Sequence, residues 1–540
     1  LSALMPNSQK TLFYKSNKEK QLDGREIIVP SGGTLGGGSS INLMMYSRGQ
    51  RCDFDSWKTP GWSADEMLPY LKKMETYHGP DPKDVHGLNG PIDVSNGTYR
   101  ASVSVQDYIQ AAEKVGYPEI EDLGALDTNN GIQRAKRYIG LDGKRQDVAS
   151  QYIRPRLESG KHTNLHIIVN SRVNRVLFDG KKASGIEFRP VSNSNVDAPL
   201  RSVRGKKMVI VSCGALGTPS VLERSGVGNP SVLHKAGVQI VTEIPGVGEG
   251  LQDHHLLTYS YRSNLDPSDT IDALVGGRLD PVELIKQNDP ILGWNALDTT
   301  CKLRPTDTEV KALGLSFQAA WDREFKHNPN KPLVLGSLVS GFPGDPTSVP
   351  DGQYLTQSMF TAYPKSRGSI HITGPGLNDP LDFTTGFFAD PDGTDIKKHV
   401  WAYKMHREIF RRMNAYRGEL AMTHPPFPPT SNALCGPVHE NSLKDIRNIE
   451  YSADDDRIIE GWLRKNVGTT WHSLGTCKMA SLDAGGVVNS SLSVHGVESL
   501  KVVDLSIPPE NVATNTMSTA VAIGEKAADI VIQELGLHIK

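Results

Sequence analysis

The sequence predicts a mixed α/β fold in which a layer of parallel strands and helices is interleaved with an antiparallel-sheet (α+β) region. Three stretches carry that expectation. Residues 208–211 are a continuous apolar run of the kind a strand shows when both faces of a parallel sheet are covered, and Gly214 then turns the chain into a helix that Ser225-Gly226 stops. After His255 the composition changes, and from about 258 to 460 the chain is rich in proline, tyrosine and scattered charge, as a separate antiparallel region is. The first pattern then returns, with a buried strand at 500–504 ending in Asp504 and a long helix over 516–535 whose apolar face carries Ala520, Ile523, Ala527, Ile530 and Val531. The organisation expected is therefore 1–257, 258–462 and 463–540, the last segment rejoining the first. A chain of 540 residues outgrows a single core and has room to enclose a large ligand.

Taken in order, residues 1–30 are polar and irregular, with short strands at 11–14 and 26–29, the second closed by Pro30. Ser31-Gly32-Gly33-Thr34-Leu35-Gly36-Gly37-Gly38-Ser39-Ser40-Ile41-Asn42 removes side chains at five positions and keeps hydrogen-bonding groups at others. Backbone of that kind can approach a flat or charged ligand closely. Helix patterns follow at 64–71, with Pro69 kinking or restarting the first, and at 103–115, while 144–150 leads into a helix ended near Pro155. Strands at 165–169, 172–178 and 185–188, with Asp179-Gly180 as a turn, make a small β meander. A further strand is expected at 238–241, before a glycine-rich segment at 245–254. The antiparallel region contributes a strand at 369–373 and a helix at 396–413.

The formal net charge is −2, which gives no basic field for nucleic acid, so partners are small molecules or further copies of the same chain. Cys52, Cys213, Cys301, Cys435 and Cys477 are odd in number, scattered, and without C-x-x-C or metal-ligand spacing; neither a disulfide framework nor a metal site is expected. No apolar run approaches the ~20 residues of a membrane span. A soluble chain is expected, in the peroxisome or cytoplasm rather than secreted, although Leu537-His538-Ile539-Lys540 is not a peroxisomal tripeptide of the S-K-L kind.

The residues that carry chemistry lie late in the chain. Thr469-Thr470-Trp471-His472-Ser473 is answered by Val512-Ala513-Thr514-Asn515-Thr516-Met517-Ser518. A histidine beside a bulky aromatic, with an asparagine ahead of a helix, supplies what removal of a hydroxyl proton needs. His254 and His255 are adjacent, point in different directions and lack a third ligand, so a structural role is expected for both.

Gly36-Gly37-Gly38-Ser39-Ser40-Ile41-Asn42, the run Gly214-Ala215-Leu216-Gly217-Thr218-Pro219 continuing to Gly228, the Trp471-His472 pair and Asn515-Thr516 occur in one order. Together they resemble the glucose-methanol-choline (GMC) oxidoreductase family of flavoenzymes, and within it the fungal alcohol (methanol) oxidases, from about residue 10 to the end. The resemblance implies a Rossmann-like FAD-binding domain interleaved with an antiparallel-sheet substrate domain. It implies contacts to FAD from Gly37, Gly38, Ser39 and Asn42, from the Val173 backbone to the adenine, from Asp504 to the ribityl and diphosphate part, and from Thr516, Met517 and Ser518 to the pyrimidine edge. Unpaired N–H groups at a helix N-terminus favour an anionic reduced flavin at that edge. His472 is implied as catalytic base and Asn515 as its partner, with Trp471, Leu43 and Met45 lining the substrate pocket. Leu43 stands where these alcohol oxidases usually carry Phe, which widens that pocket.

The family opens with a strand-turn-helix unit bearing G-x-G-x-x-G, and this sequence contains no such fingerprint. The flavin domain is therefore expected to lack its first βαβ unit, in a chain whose first residue is Leu1 rather than Met. The implied reaction is hydride transfer from a primary alcohol to FAD, with oxygen reduced to hydrogen peroxide and an aldehyde released. The same scaffold serves quinone-reducing dehydrogenases and hydroxynitrile lyases, and a chain without the diphosphate-binding unit is also compatible with a non-catalytic remnant.

Overall fold

The computed structural model of the chain describes residues 8–81, 84–191, 198–438 and 446–537, so the opening seven residues and most of the C-terminal tetrapeptide lie outside the described residues. Its largest sheet is antiparallel throughout and runs Tyr416–Glu419, His255–Ser263, Gln353–Thr361, Val334–Val339, Thr299–Leu303, Gly131–Arg134. Gly468–Thr469 lengthens one end of this sheet by pairing with the start of His255–Ser263. The expected helix near 396–413 forms as Thr394–Arg411 and lies against the sheet, where Ile396, Val400, Trp401 and Tyr403 share a core with Tyr259, Tyr261, Leu355 and Met359. The sheet thus draws one strand from before residue 257 and one from after residue 462.

A second core surrounds the parallel pair Val209–Val211 and Leu500–Val502, in register Val209↔Leu500, Ile210↔Lys501 and Val211↔Val502. Met517–Glu534 packs Ala522, Ile523 and Ala527 into it, and Ala64–Lys73 packs Met67 and Leu71. The latter helix opens with the Ser63 N–H donating to Glu66 Oε2 at 3.0 Å. It continues through Pro69 because its buried face outweighs the hydrogen bond the ring removes. Gly214–Arg224 follows the parallel strand directly, with Gly214 at φ +77, a left-handed turn that a Cβ would strain.

Several expectations need correction. Val209 and Val211 are buried, but Ile210 between them is 46% exposed, so this strand is covered on one face and not on two. Side chains alternate, and Ile210 points to the second face, which is covered over its neighbour Lys501 but left open over Ile210 itself. Residues 165–169 form no strand although Ile168 and Val169 have the right composition; both are exposed, and β-propensity without a pairing edge does not hold a strand. The strand expected at 238–241 forms just beyond it, at Thr242–Glu243, paired in parallel with Val227–Gly228. Pro30 does not close its strand but sits inside Ile28–Gly32, opposite Phe13; a two-stranded sheet has an outer edge where a missing N–H is tolerated. Pro155 does not end its helix: it lies in the first turn of Arg154–Glu158, which continues directly from the wider π-helical turn Ala149–Ile153. The meander gains a third strand, Arg201–Arg204, beside Ser171–Asp179 and Lys182–Pro190.

Candidate active site

The pairing of His255 with Thr469 brings two distant loops together, and Asp253 then fastens them. Its carboxylate accepts from the Thr469 hydroxyl at 2.6 Å, the His472 backbone N–H at 3.0 Å and the Ser473 hydroxyl at 3.2 Å. Burial pushes this carboxyl up to about 6 against the pull of those donors. Trp471 is held at φ +61, its N–H donating to Thr469 Oγ1 at 2.7 Å. That left-handed turn is costly for an aromatic residue, and it leaves the indole 40% exposed while the next side chain, His472, is buried.

On the other side, Asn515 is set by Ser47. The Asn515 N–H donates to Ser47 Oγ at 2.8 Å, and the Ser47 hydroxyl lies 3.1 Å from Asn515 Oδ1. Asp53, itself buried, accepts from the Ala513 N–H at 2.8 Å, and the Ser518 hydroxyl donates to the Ser47 carbonyl at 2.8 Å. The result places Asn515 Nδ2 3.4 Å from His472 Nε2. The two residues that the sequence singles out as catalytic partners thus meet. Burial, and then the neighbouring His254, hold the His472 imidazole well below the ordinary histidine range, so it is neutral and can accept a proton.

The first glycine run also reaches this place. Gly37–Ser40 forms a short 3-10 turn after Gly36 at φ +89, and a Cβ built on Gly37 or Gly38 meets no atom within 4 Å. Asn42 donates from Nδ2 to Met517 Sδ at 3.3 Å and accepts from Arg145 at 2.7 Å, which joins the glycine turn to the opening of Met517–Glu534. That helix starts after Thr516 with no side-chain cap, leaving first-turn N–H groups for a ligand. Ser39 is turned inward, its hydroxyl donating to the Gly36 carbonyl at 2.6 Å and accepting from the Val148 N–H at 3.1 Å. Leu43 and Met45 pack with Ala135, Leu297 and Val339, and Asn295 Nδ2 fixes the Leu43 carbonyl at 2.7 Å.

Two predicted residues stand elsewhere. Val173 lies in the meander opposite Phe188, next to a bulge at Asn174, and packs against the second core. Asp504 ends the parallel strand and accepts from the Gly214 N–H at 2.9 Å, the Thr218 hydroxyl at 2.5 Å and the Ser506 N–H at 2.8 Å, so its oxygens serve the Gly214 turn.

Sequence reasoning missed Asp253, Ser47 and, above all, His254. Expected to be structural, His254 instead places Nδ1 2.9 Å from His472 Nδ1. His255 keeps the expected structural role, packed on Phe387 and Phe388. The available signal was the position of Asp253-His254 directly after the glycine-rich segment, where a polar pair is poised to meet another loop. Among the described residues no cluster of metal-ligating side chains occurs, and no helix is long and apolar enough to cross a membrane.

Comparison with known proteins shows the family of the chain. Two family models described as GMC oxidoreductase match residues 9–256 and 364–524. An alcohol oxidase of Pichia angusta is 37% identical, covering 98% of this chain and 87% of its own length, and an alcohol oxidase of Candida boidinii matches to the same extent. An oxygen-dependent choline dehydrogenase of Photobacterium profundum is 28% identical over 97% of this chain and 84% of its own. Among solved structures, an FAD-dependent oxidoreductase from Chaetomium thermophilum superposes with a TM-score of 0.78 at 25% identity, covering 97% of this chain and 91% of that one. A formate oxidase superposes with a TM-score of 0.81 at 21% identity, covering 98% and 89%, a likeness of fold.

Proposed function

This chain belongs to the GMC oxidoreductase family, and from that premise we infer that it is an FAD-dependent alcohol oxidase, turning a primary alcohol into an aldehyde while oxygen is reduced to hydrogen peroxide. The observation that carries the reading is the 3.4 Å approach of His472 Nε2 and Asn515 Nδ2. A hydroxyl oxygen set against both groups gives its proton to the imidazole while the amide N–H supports the charge that develops on oxygen. The same two contacts fix the carbon that must lose a hydride. Bound FAD supplies the hydride acceptor and the route of the electrons to oxygen.

The residues present fit that cofactor. The bare backbone at Gly37 and Gly38 admits a flat ligand, with Ser39 and Asn42 shaping the turn beneath it. The uncapped helix start at Thr516, Met517 and Ser518 is assigned to the pyrimidine edge, and the Val173 backbone to the adenine. Asp504 is assigned to the diphosphate end through the Gly214 turn that it holds. Trp471, Leu43 and Met45 are assigned to the alcohol pocket. Residues 1–257 and 463–540 are assigned to the flavin-binding part and 258–462 to the cap; the second core draws only on the former, while the first also takes in Val105, Tyr108, Ile132 and Leu251 from before residue 257. The five cysteines stand as free thiols, which supports a reducing, intracellular setting.

The test is anaerobic addition of a primary alcohol to flavin-loaded protein. The visible flavin absorbance should bleach, then recover on admitting oxygen with stoichiometric hydrogen peroxide. No bleaching sinks the reading, and recovery with a quinone dye but not with oxygen replaces the oxidase by a dehydrogenase.

A further inference from the structure

We propose that His254 is a positioning residue for the reaction: its Nδ1 accepts the Nδ1 proton of His472, and this leaves His472 Nε2 bare toward Asn515 and the substrate. The inference rests on the oxidase reading above and deepens it. Asn515 Oδ1 faces the Ser47 hydroxyl, so the amide group turned toward His472 is Nδ2, a donor. A donor at 3.4 Å requires a lone pair on His472 Nε2. The ring proton of neutral His472 is then on Nδ1, where the partner is His254 Nδ1 at 2.9 Å, with the two rings nearly perpendicular at 85°. His254 in turn carries its own proton on Nε2.

The surroundings of His254 suit that state. It is fully buried, and burial, opposed by the Val512 backbone, drops it to about 3, so it stays neutral; the Ala362 backbone and the Asn511 side chain also favour a proton on this ring. The charged or titratable groups facing the pair are few. His255 faces His254, and the Asp253 carboxylate reaches the His472 backbone N–H and not its ring. A neutral acceptor has a consequence that a carboxylate in the same place lacks. A buried carboxylate against Nδ1 orients the ring but also raises its affinity for a proton before substrate arrives, whereas a neutral imidazole orients His472 with less effect on its charge. When His472 takes the substrate proton on Nε2, both its nitrogens carry hydrogen, and the Nδ1–H bond to His254 strengthens as a charge-assisted bond. No bond other than O–H is broken in this step, and the proton ends on His472 Nε2.

The opposite order is the alternative that the geometry sets up. Among the described residues, Asn511 Nδ2 is buried without a hydrogen-bond partner, as is His254 Nε2. Were that amide to donate to His254, both rings would reverse and His472 would carry its proton on Nε2. Nitrogen chemical shifts of the protein labelled with ¹⁵N-histidine, taken without substrate, separate the two states, with the His472 signals assigned by their loss in His472→Gln. A protonated Nδ1 and bare Nε2 on His472 are expected; a protonated Nε2 overturns the proposal whether or not the protein proves to be an oxidase. In flavin-loaded protein, His254→Leu should slow flavin reduction by alcohol about 10–100-fold, less than the roughly 10²–10⁴-fold that a general base supplies, with little change in KM. His254→Gln, whose amide oxygen can accept the same proton, should recover most of that loss. Equal loss in both variants, or none in either, overturns it, and if His254→Leu does not fold the wild-type shifts decide alone.

Discussion

At His472 and Asn515 the division of labour is directly measurable. Replacing His472 with Ala removes the proton acceptor and is expected to slow flavin reduction by roughly 10²–10⁴-fold, as stopped-flow absorbance at saturating alcohol will show. Asn515→Ala removes one donor from the developing alkoxide and should cost about 10²–10³-fold in the same experiment. The two losses should combine to less than their product, because the two side chains, 3.4 Å apart, act on the same substrate oxygen. Leu43→Phe refills part of the pocket beside Met45 and should discriminate against longer alcohols by ~1–3 kcal/mol in kcat/KM while sparing the shortest. His472, Asn515 and Trp471 could be singled out in the sequence because the resemblance to a known family implies them together; that His472 and Asn515 meet at 3.4 Å is a matter of folding and not of their spacing. His254 was not, since its role depends on a strand pairing between His255 and Thr469, and nothing local encodes that partner.

The loops that hold these side chains depend on a few carboxylates. Asp253 takes three donors from one short segment, so Asp253→Ala leaves a buried N–H and two hydroxyls without acceptors. Such a loss costs about 1–3 kcal/mol, to be read as a lower urea midpoint with an unchanged slope, and flavin reduction should fall with it because His472 is no longer set. Elements whose stability is local were visible from sequence: the helices at Ala64–Lys73, Thr394–Arg411 and Met517–Glu534 follow their apolar spacing. Elements that exist only by pairing were displaced. The strand expected at 238–241 forms wholly beyond those bounds, at Thr242–Glu243, because Val227–Gly228 offers its edge there, and 165–169 forms no strand.

The two cores are joined by a histidine that neither motif contains. His371 in Gly368–Ile372 reaches Glu223 at 2.7 Å, at the end of Gly214–Arg224, and Glu249 at 3.2 Å. Burial alone lowers its affinity for a proton, but the two carboxylates outweigh this and push the imidazole up to about 9. Since that value exceeds the 6.5 of an unperturbed histidine, the folded chain keeps a proton that the unfolded chain releases in between. The stabilisation is complete below pH ~6.5 and fades as pH rises through ~9, so the thermal midpoint should decline over that window and His371→Gln should flatten the decline. The overall α/β class could be read from composition and periodicity, whereas the way the antiparallel sheet recruits strands from three regions of the chain could not, because long-range order leaves no periodic trace.

That recruitment has a further outcome. Gly131–Arg134 can take its place only after Thr299–Leu303 has been synthesised, and the start of His255–Ser263 waits for Gly468–Thr469. Nascent chain emerging from the ribosome therefore carries unsatisfied edges for most of its translation, and slowing elongation should favour chaperone capture over autonomous maturation. By the same reasoning, a single tryptic nick at the exposed Lys206-Lys207 in the finished protein should release nothing: the fragments should stay together on native gel filtration and separate only in denaturant.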